Sequence, residues 1–340
     1  MSNRWPGGII RKTPVTPTGP FQTGTASGVW SLADAAYWTK QGLWPIAGNL
    51  PPGTFAVFAL GYNGTSGTTT RDKYVYSGCV VSSGGAATAA SYRGSAAGTS
   101  TIGIFALGIA SGAASTTRNK YTYSGCVVSA GTAATAASYA GSAAGNSTVG
   151  IFALGCVSAS PSVTRNKYTY SGCVVAAGGA ATTASRRGSA AGNSTAGIFA
   201  LGCAGSCVGV LSSRNKYTYS GCSVSVGGAA TQTSRCGSAT GNSTVGIFAL
   251  GEAGGSTNID RNKYTYASCT VAAGGAATVA SQNGSAAGNS TVGIFTLGSG
   301  GGTARNKYTY SGCVVAAASA ATATTIWGSA ASNGTTGVNM

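Results

Sequence analysis

Residues 165–202 read RNKYTYSGCVVAAGGAATTASRRGSAAGNSTAGIFALG, and almost everything after residue 54 is a variation on this stretch. Its clearest marker is a Lys-Tyr-x-Tyr segment followed by a cysteine, which recurs at steps of 47, 47, 49, 47 and 44 residues. The cysteines of the six copies are Cys79, Cys126, Cys173, Cys222, Cys269 and Cys313. Two further markers, Phe-(Ala/Thr)-Leu-Gly and Gly-Ser-Ala-(Ala/Thr), recur in the same phase. A repeat period of about 40–50 residues is typical of propellers and solenoids.

Each unit contains four short segments that are typical of β-strands. The first, Gly-Ser-Ala-Ala, has only small side chains and is followed in most copies by Gly-Asn-Ser-Thr, a signal for a hairpin turn. The second, Gly-Ile-Phe-Ala-Leu-Gly, is apolar on both faces, which indicates burial on both faces. The third, Asn-Lys-Tyr-Thr-Tyr, and the fourth, Cys-Val-Val-Ala-Ala, are rich in aromatic and β-branched residues. Ser-Gly between them is predicted to form a two-residue turn. Four antiparallel strands per unit are typical of a propeller blade, with the small-residue strand innermost.

The two ends of the array are offset by one strand. The array begins with a second-type strand, over residues 55–61, and ends with a first-type strand that starts at Gly328. The last strand can therefore complete the first blade, and a linear solenoid has no need of such an offset. The sequence thus predicts an all-β fold, a six-bladed β-propeller over residues 51–340 whose ring is closed by the C-terminal strand; a linear solenoid is the alternative.

Residues 1–50 lie outside the array and contain four of the five tryptophans of the chain. Four prolines among the first 20 residues predict an extended arm, and Ser31 and Pro45 bound one short helix, predicted over residues 32–41. So short a segment cannot bury its indoles alone. We therefore expect this docking arm to bind another chain through Trp30, Trp38 and Trp44; packing of these side chains on the array is the alternative.

The composition argues against catalysis. Only 7% of the residues are charged, against about 25% in an ordinary domain, yet the net charge is +16. The chain has no histidine, the commonest catalytic base and nitrogen ligand. The weak alternatives are a glycosidase carboxylate pair, from Asp72, Glu252 and Asp260, and a metal site from the cysteines outside the repeat register, Cys156, Cys203, Cys207 and Cys236. The sequence therefore predicts no enzyme activity, no cofactor and no metal site.

Cysteine usage and the chain's N-terminus bear on where the protein is made. Cysteines in register face the same way in neighbouring units, so we expect free thiols that fill space, with a small loop closed by Cys203 and Cys207 as the alternative. The N-terminus has no apolar segment of signal-peptide length, and no apolar run reaches the roughly 18 residues of a membrane span. These features predict synthesis in a cytoplasm, without a membrane span.

The units differ from one another at two places. One is the residue pair before Gly-Ser; the other is the linker from the second-strand glycine to the third-strand arginine, which holds 9, 9, 9, 11, 9 and 6 residues. Because strand directions alternate within a blade, both places should fall on the same rim of the predicted ring. Residues that diverge on a constant scaffold favour a binding face. The candidate binding residues are Tyr92, Arg93, Tyr139, Arg186, Arg187, Arg235, Gln282, Asn283 and Trp327. Unconstrained drift of the loops is the alternative.

An Arg-(Asn/Asp)-Lys triplet begins each third strand, on or near that rim, and the six triplets supply twelve of the twenty basic residues. Exposed, they would form a positive annulus that attracts an anionic partner. The alternative, which we favour for the arginines, is a structural role in which each arginine bonds the neighbouring blade and the lysines face solvent. Nucleic acid is a poor partner, because a symmetric ring does not match a duplex.

Two stretches resemble known families. The runs GSAAGNSTVGIFALG, over residues 141–155, and RNKYTYSG, over residues 165–172, resemble kelch-type repeats and galactose-oxidase-like propellers, and this resemblance extends over residues 55–340. The N-terminal GIIRKTPVTPTGP and GVWSLADAAYWTKQGLWP resemble the leader of structural proteins from tailed phages of aquatic bacteria. In those proteins a Gly-Val-Trp-(Ser/Asn)-Leu motif precedes an array that is often kelch-like. This resemblance implies a virion component, a tail fibre or appendage.

Together these features favour a non-enzymatic virion protein. We expect a tail fibre or baseplate appendage that binds other virion proteins through residues 1–50. Its variable rim is expected to recognise a host surface glycan, and an anionic glycan is one candidate. We also expect a homo-oligomer in the particle. The alternatives are a purely structural virion protein whose rim contacts neighbouring subunits, and a cellular lectin-like propeller.

Overall fold

The computed structural model describes residues 3–4, 29–30, 33, 37, 54–205, 207 and 209–334. The chain divides into two compact units, Met1–Pro52 and Gly53–Met340. Within Met1–Pro52, Asn3–Arg4 pairs antiparallel with Val29–Trp30. Ala33 and Tyr37 are helical and lie within the predicted helix. Trp38, Trp44 and the rest of that predicted helix lie outside the described residues.

Six four-stranded antiparallel sheets follow the repeat, one for each unit. In each sheet the strands lie in the order inner, second, third and outer, which is the predicted order. The inner strands of sheets 1 to 6 are Ser329–Ser332, Ser95–Gly98, Ser142–Gly145, Ser189–Gly192, Ser238–Gly241 and Ala286–Gly288. The second strands are Phe55–Ala59, Ile102–Ala106, Val149–Ala153, Ala196–Ala200, Val245–Ala249 and Val292–Thr296.

The third and outer strands of each sheet complete the repeat. The third strands are Arg71–Val75, Arg118–Thr122, Arg165–Thr169, Arg214–Thr218, Arg261–Thr265 and Arg305–Thr309. The outer strands are Val80–Ser83, Val127–Gly131, Val174–Ala177, Ser223–Gly227, Thr270–Ala273 and Val314–Ala318. The array is therefore all-β over its described residues, as predicted.

Sheet 1 combines strands from the two ends of the array. Its inner strand, Ser329–Ser332, pairs with Phe55–Ala59, so that Ala330 lies opposite Phe58 and Ser332 opposite Ala56. The pairing continues past the strand, where the backbone N–H of Phe55 donates to Oδ1 of Asn333 at 3.0 Å. The last predicted strand therefore completes the first sheet.

Small inner strands are a packing requirement. The inner strands of successive sheets contact one another, and Ser329–Ser332 contacts the inner strands of both sheet 6 and sheet 2. At Gly145, in the inner strand of sheet 3, an added Cβ would lie 2.6 Å from the Val149 carbonyl oxygen and 2.8 Å from the Tyr170 hydroxyl. Because interiors are packed as densely as crystals, side chains larger than alanine have little space here.

A buried arginine at the start of each third strand joins its sheet to the next. Nη2 of Arg118 donates to Oδ1 of Asn166 at 3.0 Å, and its guanidinium lies 4.7 Å from the centroid of the Phe152 ring. Five pairs of this kind link successive sheets: Arg71–Asn119, Arg118–Asn166, Arg165–Asn215, Arg214–Asn262 and Arg261–Asn306. The arginines are 1–2% exposed, so a positive annulus that includes them is wrong, and they have the structural role.

The sixth pair differs from the other five by one charge. Arg305 of sheet 6 donates to Asp72 of sheet 1 at 2.7 Å, and both side chains are almost fully buried. Asp72 also accepts from the Thr322 hydroxyl at 2.6 Å and from its backbone N–H at 3.0 Å. Burial lowers the pKa of the other five arginines to about 10, so all of them stay charged at neutral pH beside a neutral amide.

The cysteines in register lie in turns and not in strands. In the first unit a turn spans residues 76–79, and the outer strand begins at Val80, so the predicted two-residue turn and the strand start at the cysteine are wrong. All six cysteines have φ between 50° and 56°, a region in which residues other than glycine are uncommon. Cys173 packs, partly buried, against the cluster that contains Tyr168 and Tyr170, so its space-filling role is confirmed.

Raising the pH above 10 should unfold the array, because both tyrosines of every repeat are buried. Burial raises the pKa of Tyr168, Tyr217 and Tyr264 to about 12 and that of the other nine well above the usual 10.0. Unfolded tyrosines ionise near pH 10 while folded ones do not, so stability that is complete below pH 10 falls as the pH rises towards 12. The six buried arginines act in the opposite direction, but the tyrosines outnumber them two to one.

Tyrosinate absorbance and circular dichroism, followed in one alkaline titration, test this expectation. The two signals should change together, at a pH above that of free tyrosine. Tyrosinate absorbance that rises around pH 10 while the β-type spectrum persists would contradict the buried placement of the tyrosines.

Candidate functional site

The two variable places of each unit are hydrogen-bonded to one another. The first residue of the variable pair is bridged to the first residue of a variable linker, and this holds in all six units. The partners are Tyr92 and Ile109, Tyr139 and Cys156, Arg186 and Cys203, Arg235 and Glu252, Gln282 and Ser299, and Ile326 and Tyr62. The two variable places of each unit therefore lie side by side, as the alternation of strand directions predicted.

Most of the variable linkers fold back as short hairpins beside the pair. The hairpins pair Ile109–Ala110 with Ala113–Ala114, Cys156–Val157 with Ser160–Pro161, Cys203–Ala204 with Gly209–Val210, and Glu252–Ala253 with Ser256–Thr257. The glycine before each linker is required by this close approach: at Gly155, with φ 69°, an added Cβ would lie 2.4 Å from the Ala140 carbonyl oxygen. A constant glycine therefore supports linkers of unrelated sequence.

The second residues of the variable pairs form a hydrogen-bonded cycle. We call them the mouth residues: Arg93, Ala140, Arg187, Cys236, Asn283 and Trp327. All six have φ between 54° and 59°. The backbone N–H of each donates to the carbonyl of the mouth residue in the preceding unit, at 2.7–2.9 Å, and the bond from the Arg93 N–H to the Trp327 carbonyl closes the series. The backbone of the mouth is thus fixed whatever the side chains are.

Three of the mouth residues are buried and three are partly exposed. Ala140, Cys236 and Asn283 are 5–8% exposed, whereas Arg93, Arg187 and Trp327 are partly exposed. The Arg93 guanidinium lies 4.2 Å from the centroid of the Trp327 ring. In turn Trp327 lies against Tyr62 and Tyr92, with centroid distances of 5.6 and 5.9 Å. Trp327 therefore packs within the rim, and this aromatic cluster attracts the Arg93 guanidinium through a cation–π interaction.

Positive charge accumulates around the mouth. Arg235 and Glu252 form an ion pair with N···O 2.5 Å, and Arg235 also donates to the Cys207 carbonyl at 3.0 Å. Burial and the charge of Arg187 both lower the pKa of Arg93. Among the described residues, neither Arg93 nor Arg187 has a carboxylate or a side-chain hydrogen-bond acceptor as partner. The mouth therefore carries two cationic groups without a counter-charge.

The cysteines near the mouth do not assemble a metal site. Cys203 and Cys207 form a disulfide, so the expectation of free thiols is wrong for this pair, while Cys156 and Cys236 are free. Arg186 contacts sulfur from both sets, with Nε 3.3 Å from Sγ of Cys207 and Nη1 3.4 Å from Sγ of Cys156. In the described part of the chain no three histidine, cysteine or acidic side chains come together as metal ligands would.

The three carboxylates of the array are each held by a different partner. Asp72 is buried with Arg305, Glu252 is paired with Arg235, and Asp260 accepts from Nε2 of Gln232 at 2.9 Å. A glycosidase needs one protonated and one ionised carboxyl group facing each other across the substrate. These contacts give the three carboxylates structural partners.

The structure places the predicted binding residues in the mouth or directly beside it. Sequence reasoning missed Ala140 and Cys236, which belong to the mouth, and Tyr62, which joins the Trp327 cluster. Ala140 and Cys236 occupy the variable pair, so their position in the repeat was a signal for them, whereas the ring contact of Tyr62 had none.

Comparison with known proteins identifies the fold and no family. No protein-family model matches the chain, and no curated protein matches it. Among solved structures, the crystal structure of TolB from Acinetobacter baumannii aligns with a TM-score of 0.55 at 10% identity, covering 88% of this chain and 71% of that chain. The chain therefore has an all-β fold of the β-propeller class. At this identity the likeness is limited to the fold.

No helix within the described ranges is both long and apolar enough to cross a membrane.

Proposed function

We propose that this chain is a non-enzymatic virion protein, a tail-fibre or baseplate appendage of a tailed phage that recognises a host surface glycan. Residues 1–50 attach it to other virion proteins, and the variable rim binds the glycan. The observation that carries the proposal is the repeated pairing of the two variable places on a scaffold that is otherwise constant. The phage origin rests on the resemblance of the N-terminal leader.

The binding face depends on a closed ring, and we propose that the six sheets are the six blades of one. Three features support closure. The inner strand Ser329–Ser332 completes sheet 1, the mouth residues are joined in a cycle, and Arg305 of sheet 6 bonds Asp72 of sheet 1. Closure would give every variable pair the same height and distance from one axis.

The division between constant and variable residues supports recognition. The residues that join the sheets, such as the Arg–Asn pairs, repeat in almost every unit, whereas the residue at the mouth changes from Arg to Ala, Cys, Asn or Trp. Loop residues on a rigid scaffold are where binding functions concentrate. Aromatic residues and arginine, which the variable pairs supply in several units, are enriched at interfaces.

Changing Arg186 and Arg187 together to alanine should abolish host-cell adsorption while it leaves the fold in place. Neither side chain belongs to the Arg–Asn pairs that join the sheets, and among the described residues the Arg186 side chain bonds only the sulfurs of Cys156 and Cys207. The melting temperature should therefore stay within a few degrees of the parent protein. Loss of contact arginines at a binding face costs about 1–4 kcal/mol of binding free energy. Adsorption of labelled protein to host cells, and binding to a glycan array, measure the effect.

The matched control is the double variant Lys120→Ala with Lys263→Ala, which removes the same charge from two third strands. It should adsorb as the parent does. If the arginine variant also adsorbs normally, the rim is not the recognition surface. If the array shows no glycan and the arginine variant instead weakens particle assembly, the rim contacts virion subunits.

A further inference from the structure

Two unpartnered arginines of the mouth flank its smallest residue. In the hydrogen-bonded cycle Arg93 is followed by Ala140 and then by Arg187, with the Ala140 N–H bonded to the Arg93 carbonyl and the Arg187 N–H bonded to the Ala140 carbonyl, both at 2.9 Å. Equivalent backbone positions with nearly the same φ present the three side chains from three successive units. Because Ala140 ends at Cβ, the space between the two arginines is not filled by a side chain from their shared neighbour.

The Arg93 guanidinium lies against aromatic rings and has no hydrogen-bond acceptor among the described residues. It lies with its carbon 4.2 Å from the Trp327 ring centroid and 5.8 Å from that of Tyr92. The cation–π attraction to these rings occupies no conventional hydrogen-bond acceptor, so the N–H groups of Arg93 remain available for a carboxylate or a sulfate. This differs from the buried arginines between sheets, such as Arg118, whose Nη2 and Nη1 bond Oδ1 of Asn166 and the Ala133 carbonyl.

Nearby negative charge is already used. Glu252, the acidic residue of the adjoining rim, is paired with Arg235, and Asp260 bonds Gln232. The next mouth residue, Cys236, is buried and free, and burial raises the pKa of its thiol, which keeps it neutral at neutral pH. Two like charges held together without a counter-ion favour an anion from outside the chain.

We propose that the mouth binds the oxyanion of an acidic sugar, a carboxylate or a sulfate group, between Arg93 and Arg187 above Ala140. Trp327 is a positioning residue that holds the Arg93 guanidinium. This inference rests on the proposed function and narrows it, because it assigns recognition of charge to two units of the six and leaves the other variable pairs to contact the neighbouring sugars.

The test is calorimetric titration of the full chain with glucuronate, glucose 6-sulfate and glucose. The parent protein should bind at least one of the two acidic sugars and should not bind glucose, and added salt should weaken binding. Arg93→Gln and Arg187→Gln should each weaken binding about tenfold or more, since each removes a charge-assisted hydrogen bond. Trp327→Phe should weaken binding less than Arg93→Gln does.

Two variants keep the result independent of folding and of overall charge. The double variant Lys120→Gln with Lys263→Gln lowers the net charge further than either arginine variant and should bind as the parent does. Ala140→Leu should block the site while both arginines remain. The inference would be overturned if glucose bound as well as the acidic sugars, or if both arginine variants bound as well as the parent. It would also be overturned if the lysine control lost as much binding as the arginine variants.

Host-cell adsorption separates this inference from the proposed function. If the parent adsorbs and both arginine variants adsorb equally well, glycan recognition stands and the mouth site is wrong. If the mouth binds acidic sugars in the expected way but the parent adsorbs to no host, the site stands and the proposed function is wrong.

Discussion

Deleting residues 328–340 should abolish the native fold of the array. This segment supplies the inner strand of sheet 1, Ser329–Ser332, and without it the Phe55–Ala59 strand loses its pairing along one edge. Ala330 and Ala331 are fully buried, and Cβ of Ala331 lies against Gly103 of sheet 2, so the loss also opens the neighbouring sheet. Exposed, uncharged strand edges invite aggregation.

The expected loss is large because several interactions disappear together. Besides the strand pairing, the deletion removes the Asn333 bonds to Phe55 and the bond from the Tyr76 hydroxyl to Ser332 at 3.0 Å. Folded proteins are stable by only about 5–15 kcal/mol, so removing a whole inner strand is expected to eliminate most of the free energy of unfolding. Thermal unfolding followed by circular dichroism measures the effect.

Deletion of residues 1–50 is the matched control, although it removes far more of the chain. All strands of the six sheets lie between Phe55 and Ser332, so the shortened protein should remain folded with a melting temperature near that of the parent. An unchanged melting temperature after the C-terminal deletion would contradict closure by the last strand. Insolubility after the N-terminal deletion would show that the arm belongs to the fold.

Much of the fold could be predicted because the repeat records it six times. The spacing of the repeated motifs predicted where the strands lie, and the alternation of strand directions predicted that the two variable places lie together. The offset between the first and last strands predicted the pairing of Phe55–Ala59 with Ser329–Ser332. The turns were less predictable. A cysteine with positive φ carries no signal in a single sequence, since glycine or asparagine is the usual residue there.

The chemistry of the rim was harder to predict than its position. The sequence shows Arg93, Ala140 and Arg187 as the second residues of successive variable pairs, but not that a cycle of backbone bonds joins them. The repeat did separate Arg71, which recurs with the scaffold, from Arg93 in a variable pair, but it did not show that Asn119 is the partner of Arg71. Burial and partners come from tertiary packing, which short motifs do not encode.

Asp72→Ala should destabilise the array more than any other single change among the pairs that join the sheets. The substitution leaves the buried Arg305 guanidinium without its carboxylate, and leaves the Thr322 hydroxyl and N–H without their acceptor. Removing one partner of a buried ion pair typically costs about 3–5 kcal/mol. The melting temperature and the midpoint of denaturant unfolding should both fall.

Two controls separate the charge of Asp72 from its hydrogen bonds. Asp72→Asn converts the sixth pair into the kind found at the other five, where Nδ2 of Asn119 donates to the Thr88 hydroxyl at 2.7 Å. It should cost much less than the alanine substitution, about 1 kcal/mol, because Thr322 can reverse its role and accept. Asn119→Ala removes an equivalent neutral acceptor from Arg71 and should cost about 1–3 kcal/mol. If Asp72→Ala costs no more than Asn119→Ala, the carboxylate adds nothing at the junction of the chain's two ends, and the single departure from the Arg–Asn pattern has no role in joining sheet 6 to sheet 1.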